Sequence, residues 1–215
     1  MRTKIHFLIL SLLLGLFSVF NSETQAAQPT LRFEQLSIAQ GLSQNTVTSI
    51  LRDSHGFMWF GTRDGLNRFD GYEFKVFRRD PQSPGAISDN SIWSIFEDNS
   101  GQLWVGTSSG GLNRYDHQTE SFTHFRHDSN NANSLSDDGI RTIYQDSHNT
   151  LWIGTNAGGL NRFHPDSQSF SHLRHKKDNP HSLSHNRVYS MVEDEQGNLW
   201  IGTGKGLNKY HQNSQ

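Results

Sequence analysis

Two His-x-x-His pairs, His124/His127 and His172/His175, are the residues whose types and spacing first suggest chemistry. Imidazole is the commonest protein ligand of zinc and copper. Residues three apart on a strand point to opposite faces, however, so one ion does not readily take both. Lys75 and Arg78 hold the matching places in a similar earlier segment. The column therefore reads as a polar rim, and no metal site or cofactor is expected. Asp-x-x-Gly segments, Asp53 to Gly56 among them, resemble calcium loops only loosely, lacking the ligand alternation and closing Glu of a true site. Ser108-Ser109-Gly110 has no Gly-x-Ser-x-Gly frame and varies freely among its counterparts, so it is read as a turn and not as a nucleophile. Cysteine is absent, which excludes a thiol nucleophile, disulfides and cysteine-zinc sites. No catalytic constellation results, and a non-catalytic chain is expected.

The elements that must position any functional residue come from a repeat. Trp59-Phe60-Gly61-Thr62 recurs as Trp104-Val105-Gly106-Thr107, Trp152-Ile153-Gly154-Thr155 and Trp200-Ile201-Gly202-Thr203, at spacings of 45, 48 and 48 residues. Each phrase is followed by a Gly-Leu-Asn-Arg/Lys-aromatic block that starts at Gly65, Gly111, Gly159 or Gly206. A period of this length marks a repeat architecture. Within one copy, a β-branched strand a (Asn45 to Leu51; then Asn90 to Phe96, Gly139 to Tyr144 and Asn186 to Val192) leads into an Asp-x-x-Gly turn. Asn149 replaces the turn glycine in copy three, as suits a left-handed position. Strand b holds the Trp phrase and is apolar on both faces, strand c the Gly-Leu-Asn block, and strand d a Phe-x-x-Phe pair such as Phe74/Phe77.

Four short antiparallel strands per copy, apolar on both faces, describe a blade. The fold class is all-β, a β-propeller made of four-stranded antiparallel blades in four repeats, either part of a larger propeller or a small four-bladed unit. Copy four stops after strand c at Tyr210, and Phe33-Glu34-Gln35-Leu36 is expected to supply its missing strand d, giving 16 strands.

Propeller ligands sit where loops of successive blades converge. By strand direction, the b–c turns and the d–a loops share one end. Columns that vary among copies there are the best candidates: Arg63 and Asp64 in a b–c turn, with Ser108, Ser109, Asn156 and Lys205 in the others. Strand a opens with Asn45, Asn90, Asp138 and Asn186, followed by a variable column of Thr48, Trp93, Arg141 and Tyr189. Aromatic rings and one guanidinium among amides would suit a sugar or a small anion.

The address is read from residues 1–27. A basic start (Arg2, Lys4, His6), an apolar run of 14 from Phe7 to Phe20, and the small-residue step before Ala27 read as a cleavable signal peptide, with residues 28–215 as the propeller. A run that short is below the roughly 20 residues of a span, so membrane contact is expected only through an uncleaved signal anchor, if at all. Net charge is −2, which offers no basic surface for nucleic acid.

The phrase Asp-x-x-Gly-x-x-Trp-x-Gly-Thr followed by Gly-Leu-Asn-Arg-Tyr/Phe resembles the two-component regulator propeller repeat, over residues 31–211. The resemblance implies the periplasmic sensor region of hybrid histidine kinases and of proteins ending in diguanylate cyclases. In that family two propellers of about seven blades precede an immunoglobulin-like domain, one span and the output domain. This sequence shows no kinase histidine box, ATP-binding domain or cyclase motif. The expected function is a periplasmic, exported ligand-sensing module of a signal-transduction system. A stand-alone exported scaffold that binds protein or glycan is the alternative. The expected partners are an unknown small ligand, such as a carbohydrate, or a partner protein, with self-association open.

Overall fold

The computed structural model describes residues 32–211. The chain divides into two compact units, residues 1–35 and 36–215. Of the first, only residues 32–35 are described, and they form no regular element. The expected signal peptide, residues 1–27, lies outside the described residues.

The second unit is a series of antiparallel sheets, one per repeat. Blade I contains β1 (Val47–Arg52), β2 (Met58–Thr62), β3 (Gly65–Phe69) and β4 (Phe74–Phe77), paired in that order. Blade II contains β5 (Ile92–Glu97), β6 (Leu103–Thr107), β7 (Leu112–Asp116) and β8 (Ser121–Phe125). Blade III contains β9 (Ile140–Gln145), β10 (Leu151–Thr155), β11 (Leu160–His164) and β12 (Ser169–Leu173). Blade IV has only β13 (Val188–Glu193), β14 (Leu199–Thr203) and β15 (Gly206–Tyr210). The first strands β1, β5, β9 and β13 neighbour one another in sequence order, as the inner strands of a propeller do.

The turn that opens each Trp phrase carries more structure than its Asp and Gly alone imply. Asp53 accepts the Phe57 N–H at 2.8 Å with one oxygen and the Trp59 indole N–H at 2.6 Å with the other. Asp98 and Trp104, Asp146 and Trp152, and Asp194 and Trp200 repeat the indole bond at 2.7–2.8 Å. One carboxylate thus closes the turn and orients the largest core side chain. Asn149 stands at φ +62°, in line with the left-handed turn glycines of the other blades.

Blades pack through alternating columns. Trp59, Leu66, Phe77 and Ile87 meet Ile92, Ile95, Leu103, Val105, Tyr115 and Phe122 of blade II. The same columns recur between blades II and III and between III and IV. In blades I to III, the glycine two places after the Trp makes room for the β-branched residue that opens the next blade. A Cβ on Gly61 would lie 2.8 Å from Ile92, and one on Gly154 would lie 2.7 Å from Val188. The repeated Asn of strand c clamps the preceding d–a loop. Asn113 accepts the Ser88 N–H at 3.0 Å and donates to its hydroxyl at 2.8 Å, and Asn161 holds Ser136 in the same way.

Two sequence expectations change. Strand a begins one or two residues later than expected, because the side chains of Asn90, Asp138 and Asn186 accept loop N–H groups instead of opening a ladder. The expected strand over 31–36 does not form across its described part. Residues 32–37 carry no strand, the described strands number 15, and the fourth sheet keeps three. In blades I to III, strand d is tied to strand c by a hairpin a few residues long. Phe33 would have to close a loop of about 170 residues, which costs more chain entropy for the same ladder. Ser37 instead opens a short 3-10 turn, Ile38–Gln40, through a reciprocal capping box.

Candidate functional site

The strongest site emerges from an irregularity shared by all four blades. The ladder between the first and second strands skips one residue: between Val47 and Ser49, Ile92 and Ser94, Ile140 and Thr142, and Val188 and Ser190. The skipped residues are Thr48, Trp93, Arg141 and Tyr189, a column that differs in every copy. A bulge releases one residue from pairing and re-aims its side chain, which is why bulges gather beside binding sites.

The bulges bring three of these side chains together. The Arg141 guanidinium lies 4.6 Å from the Trp93 ring centroid and 5.1 Å from that of Tyr189. Its Nε donates to Asn156 Oδ1 at 2.8 Å, so the turn after β10 fixes the head group. Arg187 Nε donates to the Asn156 carbonyl at 3.4 Å, so a second guanidinium bonds the same turn residue. The sequence reading passed over Arg187. Its column holds Thr46, Ser91 and Gly139 in the other copies, so the rule that selected Arg141 would have found it. Thr48 takes no part in the cluster; its hydroxyl donates to the carbonyls of Gly61 and Ile92, at 3.0 and 2.6 Å.

The remaining candidates are placed elsewhere or already engaged. Asn90, Asp138 and Asn186 each accept a backbone N–H at 2.7 Å, from Arg79, His127 and His175, and their carbonyls accept from Gly65, Gly111 and Gly159. This column clamps loops. Asp64 pairs with Arg78 at 3.0 Å on the surface, and Arg63 is exposed in the β2–β3 turn. Ser108 and Ser109 both donate to Asp89. Burial pushes the Asp89 carboxyl up, but the bonds from Ser109, Ser91 and Ser108 outweigh it and hold the group below its ordinary value. The paired histidines serve loops as well. His124 and His127 bond the carbonyls of Ala86 and Leu135 at 2.7 Å, and His172 and His175 bond those of Ser134 and Leu183 at the same distance. A separate cleft follows the open edge of β15, between His172, Lys176, Pro180, Lys209 and Tyr210.

What the arrangement can do chemically is hold a flat or anionic group. An arginine stacked between aromatic rings keeps its planar fork oriented, and the rings offer faces to a sugar or another planar surface.

Four stretches, residues 41–64, 86–109, 134–157 and 182–205, match the profile described as two component regulator propeller. The chain is built from two-component regulator propeller repeats and belongs to that family. It is similar to the extracellular domain of BT3049 from B. thetaiotaomicron, assigned to the hybrid two component systems, with 28% identity and a TM-score of 0.67 over 84% of this chain and 30% of that one. A second B. thetaiotaomicron extracellular domain, that of BT4673, assigned to the one component systems, matches at 26% identity and a TM-score of 0.67, over 81% of this chain and 22% of that one. Histidine kinase P4 of Formosa agariphila is 41% identical over 73 residues, which make up 34% of this chain and 5% of the kinase. The chain therefore spans less than a third of the length of each of these relatives. Among the described residues, no helix is long and apolar enough to cross a membrane.

Proposed function

We propose that these repeats form a non-catalytic, exported sensing module of the periplasm that binds a small ligand at the Trp93–Arg141–Tyr189 cluster. The observation that carries the reading is the bulge column. Four equivalent positions are lifted out of the ladder, and three of them converge as a guanidinium between two rings. Repeated columns in this chain serve the scaffold, whereas this one differs in every copy and so is released from the scaffold's demands. The ligand class that uses both ring faces and a cation is an acidic carbohydrate, with its carboxylate toward Arg141 and a sugar face on an aromatic ring. The likeness to extracellular domains of two component systems supports the exported, regulatory part of the reading.

The test is calorimetric titration of the folded chain with uronate oligosaccharides and with neutral oligosaccharides of equal length. Trp93→Ala and Arg141→Ala should each weaken uronate binding at least tenfold while leaving the circular dichroism and melting temperature in place. Equal affinity in both variants and the parent would overturn the assignment.

A second reading is favoured by a different observation. Val47, Ile50, Val192 and Leu207 are exposed apolar residues on blades I and IV. Such faces suit a scaffold that docks another blade or another protein. Sedimentation would separate the two, since a monomer over the micromolar range leaves these faces to solvent and removes the support for docking a second copy.

A further inference from the structure

We propose that Asp53, His55 and His117 form a site for a divalent transition metal of the zinc class, at the junction of blades I and II. Their ligand atoms all lie within 4.8 Å of one another. Asp53 and His55 belong to the β1–β2 turn, and His117 to the β7–β8 turn of the next blade. Both turns lie at the end of the blades opposite the Arg141 cluster, because a–b and c–d turns share one end and b–c turns the other.

The first supporting observation is an unmet bonding need. His117 Nε2 is buried and has no hydrogen-bond partner. Buried polar nitrogens are almost always paired, and an orphan points to an unseen water or ion. His124, His127, His172 and His175, by contrast, all reach a carbonyl.

The second is a break in the repeat. The places equivalent to His55 hold Ser100, His148 and Gln196, and those equivalent to His117 hold Gly71, Pro165 and Gln212. Among the described residues, the pair therefore meets only where blades I and II join, and the scaffold does not require it. Its rings lie 4.3 Å apart, inclined by 27°.

The third is pre-organisation. Asp53 is buried and held by Phe57 N–H and the Trp59 indole, which occupy two of roughly four acceptor directions of a carboxylate. The turn backbone beside His55 is pinned across the blade junction, where Ser54 donates through its N–H and hydroxyl to Glu97. Ligands on a tetrahedral zinc sit roughly 3.4 Å apart, given metal–ligand bonds of about 2.1 Å. The exposed His55 ring can close that difference by rotating on its turn. Burial and the neighbouring His55 hold the His117 imidazole below its ordinary pKa, against the opposing pull of Asp53 and Glu97. Two imidazoles and one carboxylate favour zinc, copper or nickel over calcium or magnesium, which take oxygen ligands.

The experiment is calorimetric titration of chelator-treated, full-length chain with zinc, with calcium and magnesium as controls. One zinc per chain should bind with a Kd in the micromolar range or tighter, and the control ions should not. His55→Ala and His117→Ala should each weaken that event at least tenfold. His55 is exposed, so its replacement leaves the fold intact even if His117→Ala perturbs packing. Zinc should also raise the melting temperature of the parent and not that of His55→Ala. Absence of zinc binding in the parent overturns the site. So does equal binding in the parent and His55→Ala, which would move the metal to the other histidines.

Discussion

A β-branched residue opens the first strand of every blade, yet its surroundings differ. Ile92, Ile140 and Val188 are 0% exposed, whereas Val47 is 37% exposed. Leu66, Leu112 and Leu160 are 0% exposed, and their counterpart Leu207 is 65% exposed. The residues match; what changes is the neighbour. Among the described residues, blades II and III are covered on both faces, while nothing packs over blade I before β1 or over blade IV after β15. Among the described residues, no buried cluster joins blade IV to blade I. In a repeat protein, stability is the sum of what each unit contributes and what each junction contributes. The junction contribution is therefore what the terminal faces leave unused.

The sharpest way to break this comparison is to remove the same side chain in the two settings. Trp152→Ala deletes a buried indole from the blade III–IV junction and takes a bond from the buried Asp146. A loss of ~3–5 kcal/mol is expected for a buried tryptophan. Trp200→Ala removes the same residue from an uncovered face, where it is only partly buried, and keeps Lys209 near Asp194. Its cost should be less than half as large. Urea denaturation of both variants measures the difference, and equal midpoints would show that the indole acts within its own blade and not across the junction.

A smaller effect separates the junction from the blade at the glycine slots. A Cβ on Gly154 would stand 2.6 Å from Thr142 and 2.7 Å from Val188 of the next blade. At Gly202 it would meet only Ser190 of its own sheet, at 2.7 Å from a hydroxyl. Gly154→Ala should cost about 1–3 kcal/mol through overpacking. Gly202→Ala should cost less, because the Ser190 hydroxyl can rotate away and no neighbouring blade closes the slot. Thermal melts of the pair give the comparison directly.

How much of this was legible in the sequence follows from what repeats. The Trp phrase fixed β2, β6, β10 and β14, and the Gly-Leu-Asn block fixed the third strands, because four copies average out local ambiguity. The partner of the Trp was harder to read. Asp53 and Trp59 each stood out, but their hydrogen bond joins positions six apart across a turn, which no strand period reveals. The slot role of Gly61 needed the next blade in place, since Ile92 is distant in sequence. In the candidate site, the variable column was visible as Thr48, Trp93, Arg141 and Tyr189, but the bulge that lifts it out of the ladder leaves no mark in one sequence. His55 and His117 were invisible as a pair, because one sits in an a–b turn and the other in a c–d turn of the following blade. The error at Phe33 to Leu36 came from reading spacing without the hairpin that makes such spacing effective.

The smallest effect concerns charge at the uncovered end. Burial tends to push the Asp194 carboxyl up, but the bonds from the Asn198 N–H, the Trp200 indole, the Asn198 amide and Lys209 outweigh it and hold the group well below the ordinary carboxylate range. A carboxyl whose folded pKa is depressed contributes stability that is complete above its unfolded value, about 3.9, and is lost as pH falls toward the folded one. Blade IV should therefore loosen on acidification below about pH 4, seen as earlier exchange of β13–β15 amides, while the covered blades II and III hold longer. Lys209→Gln should shift that onset slightly upward in pH, because it removes one of the four interactions that favour the ionised form. The shift should be small, since the Asn198 and Trp200 donors remain and the Lys209 ammonium is partly in solvent. Simultaneous exchange of all four blades on acidification would mean that the terminal blade unfolds only with the rest, and that its free face costs it no independence.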